Sequence, residues 1–223
     1  MYQCRYCKKD FLKESTLAVH VCEPRRRHQE CNERGVQLGL QAYLKFYEIT
    51  QGSAKLKTFD DFAESSFYRA FVKFGRHCVA IRAINPMRFT EWLIRQNKKI
   101  DHWCKDSIYT EYLLDYLRVE NINDALARAI EFGMDWAEKS GHPAHDCLRY
   151  GNSNAMAYAV TSGRISPWVL YNSESGQKFL SELDATQVAM VWPYIDSEVW
   201  TKKFSDYMAD REYARDILKK AGW

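Results

Sequence analysis

The 223-residue chain is 46% apolar and 27% charged, which gives ample material for a packed core and too much for a disordered tail. It holds no run near the roughly 18 apolar residues of a membrane span, and its first residues, MYQCRYCKKDF, lack the apolar stretch of a secretory signal. A cytoplasmic protein with no membrane partner is expected. The net charge of +3 is uneven: residues 1–57 carry 11 Lys/Arg against 6 Asp/Glu, and the remainder 21 against 23, which assigns any anionic partner to the N-terminal region.

In chain order, residues 1–22 are dense in Cys, Lys and aromatics, contain no glycine and read as a compact module. Residues 23–57 read as a basic, amphipathic linker helix. Pro24 suits its first turn, Arg25-Arg26-Arg27-His28 follows, and Val36, Leu40, Tyr43, Leu44 and Tyr47 keep helical spacing until Gln51-Gly52-Ser53. Gly35 and Gly39 each cost about 1 kcal/mol inside a helix, so a bend or a close neighbour is expected there.

Residues 58–223 read as a helical domain. Thr58 before Phe59-Asp60-Asp61 is an N-cap signal, and Asn85-Pro86 is another. Helices are expected over 66–82, 87–97, 107–119, 123–139, 154–162, 185–192 and 197–220, joined by short polar connections such as 140–143 and 163–167. The seven tryptophans mostly keep helical apolar spacing and are expected in the core. The fold class is therefore mainly α, a small N-terminal ββα module followed by a multi-helix bundle.

The chemistry concentrates in the first module. Seven cysteines are an odd number, and in a reducing compartment Cys4-x2-Cys7 with a downstream histidine favours metal over disulfides. The spacing continues as Cys7-x3-Phe11-x5-Leu17-x2-His20, with Tyr2 ahead of the first cysteine. So small a unit needs a metal beside its apolar cluster to stay folded. The fourth ligand is expected at Cys22, with His28 and Cys31 as the other choices. Cys22 reaches the metal only if the chain leaves the helix at His20, because residues two apart on a helix point about 200° apart. Four protein ligands make the site structural, and zinc is the expected ion.

These positions resemble the two-Cys two-His zinc-finger family over about twenty residues, with a variant His-x-Cys ending. The resemblance implies that base-reading positions correspond to Lys13, Ser15, Thr16 and Val19. Only Lys13 suits base recognition, so sequence-specific reading is not expected. Backbone binding is better supported: Lys8, Lys9 and Lys13, with Arg5 beside them and Arg25, Arg26 and Arg27 after the finger, are candidate phosphate contacts. The segments 34–44, 123–130 and 163–171 resemble uncharacterised zinc-finger-bearing proteins of large tailed bacteriophages, notably those of marine cyanobacteria. That likeness implies the cytoplasm of an infected bacterium and brings no established activity.

The body offers fewer signals. His77-Cys78, His102-Trp103-Cys104 and the run from His142 to Cys147 hold metal-ligating residue types without a metal-site spacing, so the last reads as a polar connection. No phosphate-loop, dinucleotide or serine-hydrolase motif is present. The expected function is a zinc-binding, non-enzymatic nucleic-acid-binding or regulatory protein. The alternative is an adaptor whose finger docks on a transcription or replication subunit, and an enzyme with its site in the helical body comes third.

Overall fold

The computed structural model describes residues 1–52 and 57–223; Ser53, where the linker helix was expected to end, lies outside the described residues. The chain is mainly α, preceded by one two-stranded antiparallel sheet. Among the described residues no helix is long and apolar enough to cross a membrane. It divides into two units, Met1–Tyr112 and Leu113–Trp223.

The first unit begins with β1 (Tyr2–Gln3), β2 (Asp10–Phe11) and α1 (Glu14–Ala18). The stretch expected as one helix from Pro24 is two, α2 (Glu23–Gln29) and α3 (Arg34–Gln51). The chain turns at Glu30–Glu33, and Glu33 adopts an extended conformation at the start of α3. Next come α4 (Phe59–Glu64), α5 (Tyr68–Ala80) and α6 (Pro86–Arg95). Thr58 and Asp61 form a reciprocal capping box on α4, and Asn85, left-handed at φ 45°, caps α6 ahead of Pro86.

The seam between α3 and α5 explains the glycines. A Cβ built on Gly75 would lie 2.0 Å from the Gly35 carbonyl oxygen, and one on Gly39 would lie 2.7 Å from that of Phe71. The two backbones meet directly, which only hydrogen side chains allow. Around the seam Val36, Phe71, Phe74 and Trp103 are buried, and Trp103 lies edge-on to Phe71 and Phe74 with centroids 5.7 and 5.1 Å away. The Trp103 indole N–H donates to the Lys98 carbonyl, satisfying its one buried polar group.

Helix α7 (Asp106–Val119) follows, and the second unit continues with α8 (Ile122–Ser140), α9 (Cys147–Tyr150), α10 (Ser153–Thr161), α11 (Pro167–Asn172), α12 (Glu174–Ser181), α13 (Ala185–Ile195), α14 (Ser197–Asp206) and α15 (Met208–Lys220). Its core is built on Trp168, Trp200 and Phe204, whose rings meet within 6.2 Å. Tryptophan burial is uneven: Trp103, Trp168, Trp200 and Trp223 are buried, whereas Trp192 is 48% exposed.

The helix expected over 197–220 breaks at Tyr207. Trp200 and Phe204 form one buried stripe, Ala214 and Leu218 another. Ten residues separate Phe204 from Ala214, which on a continuous helix turns the stripe by about 80°, and the break re-aims it. Glu120 is fully buried between Arg128, at 2.6 Å, and the Ser166 hydroxyl, which donates to it at 2.6 Å. Burial pushes its carboxyl above the ordinary carboxylate range, against the pull of Arg128 and Ser166.

Candidate metal centre

The finger is assembled from short-range geometry. Tyr2 pairs with Phe11 and Gln3 with Asp10 across the antiparallel ladder. Between them the chain folds back through a loop in which the Cys4 amide donates to the Lys9 carbonyl and the Lys8 amide to that of Cys4, both at 2.9 Å. Lys8 closes the loop at φ 60°, a left-handed conformation that costs a side-chain-bearing residue about 1 kcal/mol. The loop places Cys4 and Cys7 on one side.

The other two ligands come from the end of α1. That helix stops at Ala18, the His20 amide closes a tight turn onto the Leu17 carbonyl, and Cys22 is extended at φ −128°. The chain thus leaves the helix where a His-x-Cys ligand pair requires it, and Pro24 in the first turn of α2 prevents the two helices from fusing.

The ligand atoms of Cys4, Cys7, His20 and Cys22 all lie within 4.8 Å of one another. The Cys4 and Cys22 sulfurs are 3.9 Å apart, and the Cys7 sulfur lies 3.3 Å from His20 Nε2. A tetrahedral ion with metal–sulfur bonds of about 2.3 Å and metal–nitrogen bonds of about 2.0 Å has edges of about 3.8 Å and 3.5 Å, so these two separations fit a shared ion, and the widest in the group exceeds an edge by about 1 Å. They do not fit a disulfide, whose sulfurs are about 2.05 Å apart, and all seven cysteines are free. Three thiols and one imidazole are a soft donor set.

The loop favours the thiolate at Cys4: the Cys7 amide, and after it the Tyr6 amide, points at its sulfur and lowers the thiol to about 7, although burial opposes this. Cys22 is shifted upward, chiefly by burial. The Phe11 ring lies against His20 with centroids 4.6 Å apart and so orients the imidazole. Of the expected apolar cluster, Phe11 and Leu17 are half-buried, whereas Tyr2 is 42% exposed.

The chain matches no protein-family model, no curated protein and no solved structure. What can be said of the site therefore rests on its own geometry.

The alternative fourth ligands lie outside the cluster. His28 stands in a different set of contacts, between the Tyr6 and Phe59 rings, and Cys31 is not among the grouped ligands. The His142 to Cys147 run forms no metal group among the described residues. Instead His142 stacks on Trp136 and lies beside Tyr150, and burial pushes the Cys147 thiol up to about 12.

The basic residues divide into two sets. Lys8, Lys9 and Lys13 are exposed on the finger, although Lys8 also donates to the Arg5 carbonyl at 2.8 Å and Lys9 lies over the Phe11 ring, and Arg5 is exposed with its guanidinium over the Tyr6 ring. The three arginines after it are engaged within the chain. Arg25 donates to the His20 and Ala18 carbonyls. Arg26 pairs with Glu23 and Glu30 while its side chain stays 55% exposed. Arg27, only 17% exposed, pairs with Glu23 and donates to the Ala63 carbonyl at 2.6 Å. The pairs with Glu23 and Glu30 stand at helical i,i+3 and i,i+4 spacing, whereas the bond from Arg27 to a backbone carbonyl 36 residues away left no signal in the sequence.

Proposed function

We propose that this chain is a zinc-stabilised, non-enzymatic nucleic-acid-binding or regulatory protein, working in the cytoplasm, and on its likeness to tailed-phage proteins in that of an infected bacterium. The carrying observation is the grouping of Cys4, Cys7, His20 and Cys22, whose ligand atoms lie within 4.8 Å. Three thiolates and an imidazole at these separations suit zinc better than calcium or magnesium, which take oxygen ligands. With four protein ligands the ion holds the finger together and leaves no position for substrate.

The exposed Lys8, Lys9 and Lys13 are the groups best placed to meet phosphates, with Arg26, though paired with Glu23, as the most exposed member of the arginine run. Binding of this kind is sequence-independent and weakens with salt. A protein partner is the second reading, favoured by the apolar side chains that the finger exposes: Leu12 is 88%, Val19 78% and Val21 70% accessible.

Metal analysis of the intact chain and of Cys22→Ser, with electrophoretic DNA and RNA binding on the same samples, tests both parts. One zinc per chain, weakened in the variant, is expected, as is retention of nucleic acid that fades with salt and with Lys8→Glu/Lys9→Glu/Lys13→Glu. A zinc-loaded protein that retains no nucleic acid at low salt would refute the phosphate reading and leave the protein-docking one.

A further inference from the structure

A finger on a free tether would leave the helices beyond it indifferent to its metal. Here the ligands and the helical body share one short helix. Cys22 is both a ligand and the residue from which α2 starts. Arg25, in the first turn of that helix, reaches back to the His20 carbonyl, so α2 is joined to the ligand-bearing segment both through Cys22 and through this bond.

The far side of α2 is bonded to the body. The His28 ring lies 4.8 Å from that of Tyr6, which comes from the loop between Cys4 and Cys7, and 5.4 Å from that of Phe59 on α4. Its Nε2 is 3.1 Å from Asp60 Oδ1 and its Nδ1 is 2.9 Å from the Pro24 carbonyl. Arg27 donates to Ala63 on α4 and covers the Tyr68 ring of α5 at 4.5 Å. Glu23, beside Cys22, faces Arg69 of α5 at 3.6 Å. A column of rings thus runs from the metal loop through His28 to α4, with an ion-pair network alongside it.

We propose that α2 is a clasp set by the metal: occupancy of the four ligands fixes the start of α2 and the Tyr6 ring, which seat His28 and Arg27 against α4 and α5, and metal release frees α2 from the body. The inference rests on the zinc reading above. Apo and loaded proteins then differ well beyond the finger, and the surface presented by α2, α4 and α5 depends on the ion. Coupling is reciprocal, so whatever loosens α2 from α4 must weaken the metal by the same factor.

That reciprocity supplies the test, because Phe59 and Asp60 are neither ligands nor neighbours of ligands in the sequence. In the 223-residue protein, zinc affinity is measured against a competing chelator for wild type, His28→Ala, Phe59→Ala and the milder Asp60→Ala, each checked for helicity by far-UV circular dichroism. Amide hydrogen exchange is followed before and after chelation. The clasp requires zinc to bind about ten-fold more weakly in Phe59→Ala and His28→Ala, within the range of ordinary coupling energies, and less so in Asp60→Ala. It also requires amides of α2 and α4 to exchange faster once wild type is stripped. Unchanged affinity in all three variants, or unchanged α4 exchange on stripping, overturns the clasp while one bound zinc upholds the metal reading. A protein that takes up no zinc overturns both.

Discussion

Replacing Gly75 by alanine is the sharpest probe of the fold. The new Cβ would stand 2.0 Å from the Gly35 oxygen and 2.5 Å from the Gly39 nitrogen, against an ordinary limit of about 3.4 Å. Both obstacles are backbone, so no side-chain rotation relieves them and α3 must draw away from α5 by more than about 1 Å. A gap of that size forfeits a quarter to a half of the dispersion energy of atoms facing it, and Val36, Phe71, Val72 and Phe74 line the seam. The loss is about 3–4 kcal/mol, offset by about 1 kcal/mol from the better helix propensity of alanine. Net destabilisation of about 2–3 kcal/mol is expected, read as a fall in the urea midpoint of about 1 M or more with little change in slope. A Gly75→Ala protein as stable as wild type, or more stable, would show that the two backbones do not meet and that the core is arranged differently.

Three further outcomes follow from other sites. Arg128→Ala strands the fully buried Glu120 carboxylate and should cost about 3–5 kcal/mol in denaturant unfolding. The Glu120 carboxyl sits above its unfolded value, so the folded state binds this proton more tightly and stability is gained as pH falls through the folded value. The Arg128→Ala deficit should therefore shrink in acid, and a deficit that does not change with pH would deny a stranded carboxylate. Thr58→Ala removes half of the capping box on α4 and should lower stability by about 1 kcal/mol, whereas a change below about 0.3 kcal/mol would show that the box is not formed in solution. Chelation should abolish the finger's protection while leaving most of the far-UV helical signal, because α1 contributes only five residues; wholesale loss of helicity would mean that the ion holds up much more than the finger and α2.

The Cys/His cluster was legible because coordination chemistry demands residue types at short, fixed spacings, and Cys4, Cys7 and His20 stand at them. Cys22 was readable only as the nearest candidate after His20, and the exit it needs is compatible with Pro24, although the helix already ends at Ala18. The glycines of α3 announced a close neighbour without naming it, since the partner, Gly75, lies in a different element. Helices α11 and α12 escaped because Ser166-Pro167 and Ser173-Glu174-Ser175-Gly176 carry turn-forming residues, which here act as caps for six- and eight-residue helices. Arg25 and Arg27 show the remaining gap. A run of three arginines reads as a solvated arm, and only tertiary structure reveals that two of them are bonded to backbone carbonyls.

The third cysteine also alters the electrostatics of the finger. A divalent ion held by two thiolates and two imidazoles is neutral, whereas with three thiolates the complex keeps one net negative charge. Arg5, Lys8, Lys9 and Lys13 belong to the same small module, so with an ion bound part of their field would serve as counter-charge to the complex. The salt dependence of nucleic-acid retention should then correspond to fewer phosphates than the finger has cations, and Cys22→His, which restores a neutral complex, should steepen it.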